Sequence, residues 1–91
     1  MQSSDFRLCI PRITNDITYG FIKFVFEKLN IGTIKSIRIF ASKQGEKKVI
    51  IDFKNWNGSE LATSIKTRLD NEEPVNIMYQ TPWFWKIKYA Y

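Results

Sequence analysis

A chain of 91 residues has room for one domain but not two, and folding at this size buries roughly 60–65% of the unfolded surface, enough for a modest core. A hydrophobic content of 44% with 15% aromatics excludes disorder, while the absence of His and the single Cys9 exclude an internal disulfide and a Cys/His zinc site. The net charge of +5 favours anionic partners, nucleic acid first.

In chain order, Phe6-Arg7-Leu8-Cys9-Ile10 alternates apolar and polar side chains, the period of a half-buried strand, and Pro11 ends its regular pairing because proline has no N–H to donate. Asn15-Asp16 mark a loop. A helix follows from Thr18, which caps it, with Ile17 packing on Ile22 as a hydrophobic staple. Ile22, Val25, Phe26 and Leu29 form its buried stripe, and Asn30 or Gly32 takes the left-handed conformation that stops it.

Ile34 to Phe40 reads as the second strand and Lys48 to Phe53 as the third, joined by the polar turn of residues 42–46. Asn55-Trp56-Asn57-Gly58 is the next break. Ser59 caps a second helix whose apolar stripe is Leu61, Ala62, Ile65 and Leu69, ending at Asp70-Asn71. Val75 to Tyr79 is a short strand, Gln80-Thr81-Pro82 turns the chain, and Trp83 to Tyr91 is the last strand.

The expected fold class is therefore α+β: a ferredoxin-like βαββαβ sandwich with an antiparallel sheet and both helices on one face, plus an extra short strand before the last. Residues 1–91 form one domain with an ordered core of about 6–90. The N-terminal segment lacks the basic and apolar regions of a secretory signal, and no apolar run approaches the ~18–20 residues that span a bilayer. The expected location is intracellular, cytoplasmic or nuclear, with no membrane partner.

Leu8-Cys9-Ile10-Pro11-Arg12-Ile13 and Val49-Ile50-Ile51-Asp52-Phe53 sit where an RNA-recognition motif carries its first-strand and third-strand motifs. Gly32 to Ile37 and Lys86 to Ala90 are similar to that family's start of the second strand and its closing strand. From Phe6 to Ala90 the chain thus resembles an RNA-recognition motif. More narrowly, Cys9-Ile10-Pro11-Arg12, Phe53-Lys54-Asn55-Trp56 and Pro82-Trp83-Phe84-Trp85-Lys86 resemble small RRM-like proteins of large DNA viruses, which would place the protein in an infected host cell. The resemblance implies RNA binding on an open sheet face, but the three positions where the family stacks bases fall on Cys9, Lys48 and Ile50, none of them aromatic.

With Leu8, Ile10, Ile37, Ile39, Val49, Ile51 and Ile87 turned to the helices, the opposite face carries Arg7, Cys9, Arg38, Phe40, Lys48, Ile50, Asp52, Phe84, Lys86 and Lys88. Five basic residues against one acid leave most of the net charge on that face. The expected nucleic-acid site is Arg7, Arg38, Lys48, Lys86 and Lys88 for phosphates, with Phe40 and Phe84 for stacking. A solvated sheet face that only keeps the chain soluble is the alternative for the same residues.

Trp83 and Trp85 share the parity of Ile87 and are expected to close the core, with Trp56 covering its edge. A second function class remains, a protein-interaction or viral-assembly module, including a homodimer, that uses Phe21, Phe24 and Trp83. Catalysis is not expected: there is no His to activate a nucleophile, no paired carboxylates, and the four glycines form no phosphate loop. Acylphosphatases share the topology, but their glycine-rich loop with its arginine is missing here. No cofactor or metal is expected, and the partner is single-stranded nucleic acid, RNA in preference to DNA.

Overall fold

Strands and helices alternate in this computed structural model, which describes residues 6–14, 16–41, 46–80 and 83–89, in the order β1 (Phe6–Ile13), α1 (Tyr19–Leu29), β2 (Gly32–Ala41), β3 (Lys47–Trp56), α2 (Glu60–Asp70), β4 (Val75–Gln80) and β5 (Trp83–Tyr89). The strands make one antiparallel sheet ordered β2-β3-β1-β5-β4. The turns expected at 42–46 and 80–82 fall on residues of which 42–45 and 81–82 lie outside the described ones, as do Asn15 and the two ends of the chain.

The helix ends follow local chemistry. Thr18 Oγ1 accepts the Phe21 N–H at 3.2 Å and Ser59 Oγ accepts the Ala62 N–H at 3.2 Å, each satisfying a donor that the first helical turn leaves open. Asn30 stops α1 in the left-handed region at φ 54°, the choice offered to it or to Gly32. Gly32 instead begins β2, where a Cβ would lie 2.4 Å from the Asn55 carbonyl oxygen, so a close backbone approach explains it. At the end of α2 the Glu72 N–H reaches the Leu69 carbonyl and the Glu73 N–H the Arg68 carbonyl, a Schellman pattern that puts Glu72 at φ 58°.

Both helices bury their stripes in one cluster with alternate strand residues: Ile22, Val25 and Phe26 from α1 and Ala62, Ile65 and Leu69 from α2 meet Leu8, Ile10, Ile37, Val49, Ile51 and Phe53. The helices therefore cover one face of the sheet, and Trp85 and Ile87 join the same cluster from β5. Trp85 stacks on Tyr79 at 4.4 Å between ring centroids. Trp56 covers the core edge as expected, its indole N–H donating to the Ala62 carbonyl at 2.9 Å.

Several expectations are corrected. Regular β1–β3 pairing does stop before Pro11, at Ile10, but the strand itself runs on to Ile13 across a register shift that takes the proline. β3 continues through Trp56, so the break begins at Asn57. Leu61 is not core: it lies a third of a turn from Ala62, off the stripe, and is 47% exposed. Trp83 is likewise outside the core at 62% exposed, because the β4–β5 register shifts between Met78 and Gln80 and ends the strict alternation that Trp85 and Ile87 obey.

Candidate nucleic-acid interface

Strand pairing places the residues of the uncovered face in cross-sheet rows. One row runs Arg38, Ile50, Cys9 and Lys88 across β2, β3, β1 and β5. A second runs Ser36, Asp52 and Arg7 across β2, β3 and β1, and Phe40 faces Lys48 in a third. On the far side Lys86 stands opposite Asn76 and Phe84 opposite Met78. The structure thus brings together six of the seven expected residues from β1, β2, β3 and β5, with Phe84 at the outer end near the β4–β5 turn.

Cys9 and Ile50 sit directly opposite each other, with Lys48 two residues along the same strand. Their side chains occupy the middle of the face without an aromatic ring. Cys9 is a buried free thiol outside the main core cluster, flanked by Ile50 and Lys88.

Asp52 organises one half of the face. Arg7 Nε donates to its Oδ1 at 2.6 Å, while Arg38 Nη2 and Ser36 Oγ donate to its Oδ2 at 3.2 and 2.9 Å. Burial pushes this carboxyl up, but the hydrogen bonds from Arg7 and Ser36 and the charges of Arg7 and Arg38 outweigh that and hold it below its ordinary 3.8. Two of the five expected cations are therefore already paired. Sequence reading placed Asp52 on this face but missed the clamp, whose only signal is the register joining Arg7, Asp52 and Ser36.

Phe40 is also engaged. The Arg38 guanidinium carbon lies 5.8 Å from its ring centroid and Lys48 Nζ 6.0 Å from it, the range of cation–π attraction. The ring remains partly exposed between its two cations.

Lys86 and Lys88 differ: both are exposed, and neither forms an ion pair among the described residues. They border a 440 Å³ cleft together with Pro11, Pro74, Glu72 and Glu73, so acids stand nearby without pairing to them. Phe84 is 48% exposed beside them.

The alternative partner residues differ in exposure. Phe21 is half-buried and meets Tyr79 and Trp85 edge-on at 5.9 and 6.0 Å, a core contact. Trp83 borders a cleft with Phe21 and Tyr79, whereas Phe24 is 59% exposed beside Lys28, Met78 and Leu29. Among the described residues no helix is long and apolar enough to cross a membrane. Comparison with protein-family profiles, curated proteins and solved structures finds no significant match for this chain.

Proposed function

We propose that this chain is a ferredoxin-like, RRM-like, non-enzymatic module that holds single-stranded nucleic acid, RNA in preference to DNA, on the open face of its sheet. The β2-β3-β1-β5 order, with a helix after β1 and another after β3, supports the βαββαβ reading, β4 being the strand added at the edge. The preference for RNA and the viral setting rest on the sequence resemblance, and an intracellular location suits a free, reduced Cys9.

One observation carries the reading: the sheet face left bare by the helices holds Lys48, Lys86 and Lys88, none of them in an ion pair among the described residues, between the exposed rings of Phe40 and Phe84. Cations on a concave or flat track neutralise phosphates, and exposed rings accept unstacked bases of any identity. Phe40 on β2 and Phe84 on β5 are three strand positions apart, roughly 15 Å at the usual spacing. They would hold bases separated by intervening nucleotides, whose phosphates cross Lys48, Lys86 and Lys88. Few directional groups face outward, so binding should be electrostatic and weakly selective.

Fluorescence anisotropy of labelled single-stranded RNA and DNA oligomers, at about 50 and about 200 mM salt, tests this. Saturable binding that weakens steeply with salt is expected. No binding at the lower salt would reject the proposal.

A further inference from the structure

The two edges of the sheet are built differently. β2 carries Lys35 and Arg38, and its register against β3 shifts at Thr33/Ile34 and again at Ile34/Ser36. Charges and bulges are the devices that stop an edge strand from recruiting another. β4, the other edge, reads Val75-Asn76-Ile77-Met78-Tyr79-Gln80, with no charge and no proline. Among the described residues no strand lies beyond it, so one row of its N–H and C=O groups faces outward.

The exposed apolar side chains gather at the same edge. Seven large hydrophobic residues are exposed among the described residues, and Phe24, Leu61, Met78, Trp83 and Phe84 all border β4 or its hairpin with β5. Met78 and Leu29 line two adjoining grooves, one reaching Leu61 and Arg68 on α2, the other Phe24 and Lys28 on α1. The apolar surface is therefore continuous along β4 and the helix flanks beside it.

We infer that β4 is the interface with a second copy of this chain, paired edge to edge and antiparallel about a two-fold axis. An uncharged strand meets its own copy without like charges opposed in any register. The surroundings are complementary under the same symmetry: Glu72 and Glu73 stand just before β4, while Lys28 lies beside Met78 and Tyr79 in its later half. Antiparallel pairing lays the acidic end of each copy along the Lys28-bearing half of the other. The result is a ten-stranded sheet with the helices of both copies on one side, where Phe24 and Leu61 flank the seam, while Met78, opposite Phe84, meets its copy at the seam itself. Both bare faces then lie on the opposite side. The inference does not depend on the nucleic-acid reading.

The test is sedimentation analysis of the full chain without nucleic acid, from about 5 to about 500 µM, the range of weak to moderate association. The expected mass rises from 10.8 kDa to twice that value and stops there. Met78→Lys, which restores an edge charge, should raise the concentration of half-association at least about ten-fold with an unchanged circular dichroism spectrum. Hydrogen exchange of the unmodified chain should slow at β4 amides, and not at β2 amides, as concentration rises; this holds even if the variant fails to fold. A mass of 10.8 kDa throughout, growth past the dimer without a plateau, a dimer indifferent to Met78→Lys, or concentration-independent β4 exchange would each overturn the inference.

Discussion

The two halves of the uncovered sheet face carry the same residue types in different electrical states. On the β1–β2–β3 side, Arg7 and Arg38 are tied to Asp52, and Arg38 and Lys48 flank the ring of Phe40. On the β5 side, among the described residues, Lys86 and Lys88 have no carboxylate bound to them and no cation lies over the Phe84 ring. Counting basic residues gives three on the first side and two on the second. The pairings say that the two arginines of the first half are held in place by one carboxylate, which offsets one of its three positive charges, whereas neither lysine of the second half is tied to an acid among the described residues.

The largest expected effect follows from that inequality. Lys86→Glu with Lys88→Glu should weaken single-stranded binding roughly 100-fold or more at low salt and flatten its salt dependence, since two phosphate contacts become repulsions. Arg7→Ala with Arg38→Ala changes the charge by two rather than four and should cost less, roughly ten-fold, part of it because the Asp52 carboxylate is left unpaired on the face. Equal losses in the two variants, measured by anisotropy, would erase the distinction between the halves.

Replacing the rings sharpens the comparison at a smaller scale. Loss of a stacked base costs about 1–3 kcal/mol per aromatic. Phe84→Ala should fall in that range, and Phe40→Ala toward its lower end, because Arg38 and Lys48 already sit near its ring. Anisotropy with oligomers of increasing length checks a further point. Short oligomers that cannot span roughly 15 Å between the rings should respond to one substitution or the other, not to both.

Much of this arrangement was legible in the sequence, and the failures have definite causes. Alternation in Leu8, Ile10, Val49, Ile51 and Ile87 identified the buried face, because each lies in a run with regular pairing. Thr18, Asn30 and Ser59 were readable as helix boundaries since their chemistry is local. Trp83 was misplaced because a register shift near the hairpin is invisible to parity counting. The Asp52 clamp needed the pairing of three strands, which no single stretch encodes. The exposed run of Met78, Leu61 and Phe24 likewise required the juxtaposition of β4, α2 and α1.

Asp52 offers a test of the clamped half alone. Its lowered pKa means that the folded state is favoured by its ionised form; that contribution is complete above the unfolded value near 3.8 and disappears as pH falls through the lower folded value. Asp52→Asn should therefore destabilise by no more than about 1 kcal/mol at neutral pH, the scale of partly exposed ion pairs, and the deficit should shrink below about pH 4. Denaturant titrations at several pH values measure this. Carboxyl NMR should show Asp52 still ionised where ordinary aspartates have taken up protons. The same variant releases Arg7 and Arg38, so nucleic-acid binding should tighten a few-fold at low salt. Weaker binding would mean that the clamp positions the arginines for their ligand.

Glu72 gives the smallest and most separable change. It closes the Schellman turn at φ 58°, where a side chain costs roughly 1–2 kcal/mol, and it puts a negative charge beyond a helix C-terminus, which the helix dipole disfavours. Glycine removes both penalties but adds freedom to the unfolded chain worth about 0.4–1 kcal/mol. Glu72→Gly should thus stabilise by about 0.5–1 kcal/mol and raise the thermal midpoint by roughly 2–8 °C for a domain of this size. Glu72 also borders the cleft that holds Lys86 and Lys88, so its loss should strengthen nucleic-acid binding slightly, in the opposite direction to any effect from damage to the fold. A thermal scan and an anisotropy titration on one sample separate the terms. A higher midpoint with unchanged affinity would confine Glu72 to the turn, whereas a gain in both would show that the acid restrains the lysine-bearing half of the face.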